Sequence, residues 1–194
     1  TRISGVREVK QTFLIICEGV NTEPDYFNAF RLTSANVKAV GQGMGTLTLV
    51  QKAINIKEQE KRKGRIYNQN WVVFDKDDFP ENDFNSAILL AQQNGFEVAY
   101  SNQAFEFWFL LHFNLYQGAL HRSRYEKMLS TLLGFSYTKK SGVSSKMFNA
   151  LFSKQEQAIN HAKTIMKQFD GNNPAQQESS TTVYLLVEEL NKFL

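Results

Sequence analysis

Glu18, Asp75 and Asp77 are the residues whose type and placing point most directly to chemistry. Glu18 closes the apolar run Phe13-Leu14-Ile15-Ile16-Cys17 and is followed by Gly19 and, nearby, Glu23. Asp75-Lys76-Asp77-Asp78 closes a second run, Trp71-Val72-Val73-Phe74. Each run is too short for a buried helix and reads as a strand. In open parallel α/β sheets, ligands gather at the carboxyl ends of the strands. Carboxylates brought together there repel one another unless a cation neutralises them. A hard cation such as Mg2+, or Mn2+ in its place, takes oxygen ligands. The expected ligands are Glu18, Asp75, Asp77 and Asp78, with Glu18 as ligand or general acid/base. Other readings stand beside these: a strand-end Glu18 in solvent or on a helix dipole, and an Asp78 that is an N-cap or a solvated loop residue.

Further candidates surround these. Glu23 reaches the cation through water, or is simply an acid favoured in the first turn of a helix. Lys76 contacts a substrate phosphate, or only moderates repulsion between its neighbours. Gly19 lets the backbone turn and a ligand approach. The segment Ser101 to Phe113 contains Phe105, Phe107, Trp108, Phe109 and Phe113, which are expected to pack in the core rather than stack on bases. Glu106 sits among them and must be paired, protonated or metal-bound if buried; it joins the expected catalytic set of Glu18, Asp75 and Asp77. His112 is a proton carrier, a phosphate contact or a structural histidine. Gly41-Gln42-Gly43-Met44-Gly45 precedes a helix and offers backbone amides to a phosphate. It lacks the Gly-Lys-Ser/Thr of a P-loop, so a flexible turn is the preferred reading. No Ser-His-Asp spacing or dinucleotide fingerprint is present.

Composition narrows the class. The 194 residues are 42% apolar with 16 Phe, enough for a core, and 21% charged with both signs mixed. A single Cys17 excludes an internal disulfide and fits a reducing cytoplasm. One Cys and three His make a structural zinc site untenable. No apolar stretch approaches the ~20 residues of a membrane span. Thr1-Arg2-Ile3-Ser4-Gly5 has no signal-peptide pattern and no Met, so the numbering is expected to begin inside a longer chain. The net charge of +3 permits a nucleic-acid partner without requiring one. Three basic runs carry more information: Lys57 to Arg65, His121 to Lys127, and Lys139 with Lys140 and Lys146. They are solvated helix ends, or they grip a phosphate backbone.

The elements that must position these residues follow from periodicity. Strands are expected over 12–17, 36–40, 70–74 and 96–100. Between them lie helices: one beginning at Thr22 as N-cap with Asp25 as the capping-box acid, one over 46–63 with Leu47, Val50, Ile54 and Lys57 on its stripe, and one carrying Phe84, Ile88, Leu89 and Leu90 to Asn94-Gly95. The alternation predicts an α/β fold, a parallel sheet of about four strands flanked by helices. From 101 onward the chain reads as helical: 104–113, a helix capped by Ser123 and ended by Gly134, 144–152, a helix capped by Ser153, and 181–192. Ser179 to Thr182 reads as a cap. The expected division is a core over 1–113 and a helical extension over 114–194, either a separate lobe or a cover on the sheet.

Glu18-Gly19 and Asp75-Lys76-Asp77 resemble the signature of the Toprim fold, found in topoisomerases, primases and several nucleases. A longer pattern resembles the RloB family: Ile16-Cys17-Glu18-Gly19, then Glu23-Pro24-Asp25-Tyr26-Phe27, Asp75 to Asp78, Ser101-Asn102, Phe105-Glu106, Trp108, Leu110-Leu111-His112-Phe113, and Ser180-Thr181-Thr182-Val183-Tyr184. The chain departs from it at Asn102-Gln103-Ala104, where the family has Asn-Pro before Phe-Glu. The resemblance implies a Toprim-like domain, with Glu18 as its glutamate and Asp75 and Asp77 as the metal-binding pair. It also implies prokaryotic anti-phage defence near restriction-modification or abortive-infection loci, and an ATPase partner. The expected activity is a magnesium-dependent nuclease on DNA or RNA. The rival expectation is a non-catalytic nucleic-acid-binding or partner-binding module. A primase-like polymerase fits less well, for want of a zinc-binding or template-binding module.

Overall fold

Alternate side chains of three strands enter two different cores, and this explains their unbroken apolar runs. Phe13, Ile15, Cys17, Trp71, Val73 and Ala99 join one cluster, while Leu14, Ile16, Val72, Phe74, Val98 and Tyr100 join the other. A strand covered on both faces has no solvent side on which to place polar residues. The computed structural model describes residues 10–194; the expectation about Thr1 to Gly5 lies outside them. The strands are β1 (Gln11–Cys17), β2 (Ala35–Gly41), β3 (Gln69–Asp75), β4 (Glu97–Asn102) and β5 (Ser180–Thr181). Their order is β2-β1-β3-β4-β5, with the first four parallel and β5 antiparallel to β4.

Eight α-helices accompany them among the described residues: α1 (Thr22–Asn28), α2 (Thr46–Arg62), α3 (Glu81–Gln93), α4 (Glu106–Leu110), α5 (Tyr125–Leu133), α6 (Val143–Leu151), α7 (Gln155–Met166) and α8 (Val183–Asn191). Helices α2 and α3 cover one sheet face through Leu49, Val50, Ala53, Phe84, Ala87, Ile88 and Ala91. Helix α1 and the C-terminal helices cover the other. That second core runs from Phe13 to Leu190 without a break, so residues of the C-terminal half bury the sheet itself. An aromatic group ties it together. Tyr26 lies within 5.3–5.9 Å of the Phe27, Phe30, Phe105, Phe109 and Phe148 rings, edge to face. Its hydroxyl accepts the Trp108 indole N–H at 3.0 Å. The aromatics of 105–109 are thus core, as expected.

Several local expectations need correction. The sheet has a fifth strand, because Ser180-Thr181 pairs with Ser101-Asn102; capping is confined to the end of this segment, where Thr182 precedes α8 and Thr181 Oγ1 accepts the Val183 N–H at 3.2 Å. Two residues are too few to show a period, and α8 therefore starts at Val183. Helix α4 is shorter than 104–113. Thr22 lies inside α1, with Asn21 ahead of it and no side-chain cap. Asp25 accepts the Gly142 N–H at 2.7 Å rather than closing a capping box. In α2 the buried stripe is Leu49, Val50 and Ala53, while Leu47 is exposed. Ser123 and Ser153 fall within 3-10 turns, not at caps. Gly134 does end α5, in the left-handed conformation. No helix among the described residues is long and apolar enough to cross a membrane.

Candidate functional site

Strand register brings the two acidic clusters together. Cys17 of β1 pairs with Val73 of β3, so the next residues in each chain, Glu18 and then Asp75, emerge side by side. The Glu18 carboxylate accepts the Asp75 backbone N–H at 2.9 Å. On its other side Asp75 pairs with Ser101 of β4, and the chain beyond β4 returns over it. Asp75 Oδ2 accepts the Phe105 N–H at 3.0 Å. Its other oxygen, Oδ1, is buried with no hydrogen-bond partner. Such an orphan costs free energy in a packed interior.

Glu18, Glu23, Asp75, Asp77 and Glu106 all line one cavity of about 280 Å³, with Thr22, Phe105 and Lys139 among its other walls. Glu23 lies deeper than expected, only 4% exposed. Its carboxylate accepts the Gly19 N–H at 3.3 Å. Gly19 is needed for this approach: a Cβ there would stand 2.0 Å from Glu23 Oε2. Gly45 is similar, since its Cβ would meet the Phe79 ring at 2.6 Å and Glu18 at 2.7 Å. Asp77 adopts a left-handed backbone with φ of 42°, which aspartate tolerates better than most residues.

The crowding shifts the acids upward. Burial pushes Glu18 to about 7, with Asp77 adding to it and the Asp75 N–H and Lys139 opposing it. Glu23 also rises to about 7, through burial first and then Glu106 and Glu18. Asp75 rises well above its ordinary range, through burial and then Glu23, Glu18, Glu106 and Asp77. Shifts of this kind mark sites held for chemistry more often than surface ion pairs do.

Two cations from the C-terminal half meet the cluster. Arg122 donates from one guanidinium nitrogen to Asp77 and from the other to Asp78. Lys139 Nζ lies 3.2 Å from Glu106 Oε1, which also accepts the Tyr137 hydroxyl at 3.0 Å. Burial works against the Lys139 charge, but Glu106, Asp75 and Glu23 outweigh it and raise its proton affinity.

The other candidates lie elsewhere. Asp78 is turned outward, with 84% of its side chain exposed, and does not line the cavity. Lys76 folds back to donate to the Phe79 carbonyl. His112 is fully buried, bonded through Nδ1 to the Trp108 carbonyl at 2.9 Å, and pulled down to about 4 by burial. It packs away from the acids as a core residue. Two amides of the glycine loop are taken by the end of β1 and the residue after it: Gln42 N–H donates to the Cys17 carbonyl and Gly43 N–H to the Glu18 carbonyl. The first basic run lies at the opposite end of the sheet, since α2 runs antiparallel to the strands. There Lys63 and Arg65 pair with Glu60, and Lys57 caps Asn94 and Gly95. Sequence reasoning missed Tyr137 altogether, and saw Arg122 and Lys139 only as members of basic runs. Nothing in their spacing announces a contact with acids dozens of residues away.

An all-oxygen donor set with an orphaned Asp75 oxygen suits a hard cation. Among the described residues, though, no group of three or more His, Cys, Asp or Glu already stands in ligating array. Arg122 and Lys139 account for three of the acids.

The fold and site define an α/β protein with an acidic cleft at the carboxyl edge of a mostly parallel sheet. The family model described as RloB-like protein matches residues 13–190, and the chain belongs to that family. No curated protein and no solved structure matches it.

Proposed function

We propose that the chain is a magnesium-dependent nuclease, with manganese as a substitute, built on a Toprim-like core. One observation carries the reading: Asp75 holds a buried, unpartnered oxygen in a cavity walled by four further carboxylates. Glu18 at the end of β1 and Asp75 and Asp77 at the end of β3 match the Toprim pattern residue by residue. Glu18, Asp75 and Asp77 would hold the cation. When bound, that cation polarises the scissile phosphate and lowers the proton affinity of its water.

The protein's own groups do the rest. The Asp75 and Phe105 N–H groups fix Glu18 and Asp75 in place. Glu18, whose proton affinity burial raises in the cation-free protein, would give up its proton when it takes the cation. Glu106 is oriented by Tyr137 and Lys139. Cleavage of DNA and RNA, tRNA included, with each cation tests the proposal. Full activity in an Asp75→Ala/Asp77→Ala protein would sink it.

A second reading, a non-catalytic nucleic-acid or partner-binding module, draws on Arg122 and Lys139, which neutralise Asp77, Asp78 and Glu106 from within. Retained binding without turnover under every cation would favour it. The setting that the family resemblance implies is prokaryotic anti-phage defence beside an ATPase, and the single Cys17 fits a reducing cytoplasm. Co-purification with an ATPase from the source cell tests that partnership.

A further inference from the structure

Arg122 and Lys139 come from separate segments of the C-terminal half, yet both end on the carboxylates of the cleft. Their segments are anchored for it. The Arg122 backbone N–H donates to the Gln103 side-chain oxygen at 2.7 Å, and the Gln103 carbonyl accepts the Asp77 N–H of the acidic loop at 3.0 Å. The Lys139 segment is fastened on both sides, by Asn21 to the Lys139 carbonyl at 3.4 Å and by Asp25 to the Gly142 N–H. The Lys139–Glu106 pair is also a partition. It lines both the acidic cavity and a neighbouring one of about 250 Å³ that Arg122 and Ser123 help to wall. Both cations therefore face a second space as well as the acids.

We propose that Arg122 and Lys139 form a phosphate-binding site that the carboxylates occupy until a divalent cation takes those carboxylates over. Cation and phosphodiester then bind together, because each releases the partner the other needs. The inference rests on reading the acids as cation ligands and adds a coupling to it. An arginine fork and a lysine ammonium are suited to phosphate oxygens. Paired internally they are unavailable, as are Asp77 and Glu106. A divalent ion competes with two side-chain cations for the same oxygens. Once displaced, those side chains are charged and beside an open cavity. By linkage the effect is reciprocal: whatever factor the cation adds to phosphate affinity, phosphate adds to cation affinity.

The test compares the wild type with Arg122→Gln/Lys139→Gln and with Lys139→Gln alone. Lys139 is more than half exposed, so its single variant keeps the test open if the double variant does not fold. Manganese binding to the protein alone is measured by calorimetry. Binding of fluorescein-labelled single-stranded oligonucleotides, one DNA and one RNA, is measured by anisotropy at fixed ionic strength, with and without calcium.

In the wild type the cation tightens oligonucleotide binding roughly tenfold, within the usual 5–150-fold range of linkage. The double variant binds manganese about 5-fold tighter, having lost its internal competitors, and loses the tenfold enhancement. Its salt slope for the oligonucleotide falls by roughly 1.5, the share of two phosphate contacts. Enhancement with DNA alone, or RNA alone, names the source of the phosphodiester. Variants that bind manganese no tighter and keep the full enhancement overturn the proposal, and assign the two cations to holding the loops. That outcome leaves the nuclease reading standing if the wild type still cleaves. A wild type that binds no divalent cation overturns both.

Discussion

Glu60 and Asp75 are both buried acids, at opposite edges of the same sheet, and they have opposite surroundings. Glu60 is 4% exposed. It accepts from Arg65 at 2.6 and 2.9 Å and from Tyr67 at 3.0 Å, and lies 3.1 Å from Lys38. The Arg65 hydrogen bonds, with Lys38 and Tyr67, pull it far below the ordinary carboxylate range. Asp75 is 7% exposed, keeps one oxygen without a partner, and is pushed up by burial and by four neighbouring acids. Where an acid serves to tie α2 to the strand edge, the chain supplies its counter-charges. At the carboxyl edge it gathers acids and leaves them short of positive charge, which folding alone gives no reason to do.

The sharpest way to break that contrast is Asp75→Asn. The amide keeps the shape and removes the charge. Cation affinity is expected to fall by at least about 100-fold, beyond the 10–100-fold typical of supporting residues, and cleavage with it. Cation-free stability is expected to rise, because the remaining acids lose a repelling neighbour. Calorimetry with manganese and thermal melts in chelator check both. A lower melting temperature in chelator would mean that Asp75 serves structure as Glu60 does.

Gly19→Ala comes next. The new Cβ would stand 2.0 Å from the Glu23 carboxylate and must move it. Cation affinity is expected to drop about 10–100-fold, with cleavage following it, while β1 itself stays paired. Unchanged affinity would place Glu23 outside the set that matters.

The contrast also explains what could be read from the sequence. Glu18, Asp75 and Asp77 were legible because β1 and β3 are buried on both faces. Their apolar runs therefore end sharply, and the first polar residue marks the edge of the sheet. The alternation of elements up to β4 was legible for the same reason. Glu23 was underrated because its depth depends on Gly19 having no side chain, a contact that no period reveals. Arg122, Tyr137 and Lys139 reach the site only through tertiary folding of the second half. β5 is two residues long and is fixed by pairing with β4, not by its own pattern. In the basic run at 57–65 three charges are taken by Glu60 and a helix end, and composition cannot distinguish a paired lysine from a free one.

The two regions also predict opposite responses to pH. Glu18 and Glu23 rise from an ordinary 4.5 to about 7 in the folded state. Between those values the folded protein binds more protons than the unfolded one, so stability falls as pH increases. Their contribution is complete below about 4.5 and lost as pH passes through about 7. Glu60 has the reverse sign: its lowered value stabilises above the ordinary range and is lost on acidification. Melting temperature in chelator is therefore expected to decline from pH 4.5 toward 7 and beyond, and magnesium is expected to restore it at the upper end. The decline should shrink in a Glu18→Gln/Glu23→Gln protein, leaving the share of Asp75, which burial also raises. A melting temperature that climbs steadily over this interval would contradict the assignment.

Glu60→Gln should affect the site least of all. It removes the charge that Arg65, Lys38 and Lys63 share and leaves three cations close together on one edge. The melting temperature should fall at neutral pH, and the penalty should shrink in acid, where wild-type Glu60 loses its own charge. Manganese affinity and cleavage at saturating cation should stay at wild-type values, because the sheet separates the two edges and its core does not change. Removing an acidic charge would then stabilise the cation-free protein at Asp75 and destabilise it at Glu60. That reversal of sign separates acids held for a ligand from acids held for the fold, and it can be measured before any substrate is known. Should Glu60→Gln weaken manganese binding as strongly as Gly19→Ala, the two edges would be one coupled system and the division drawn between them would fall.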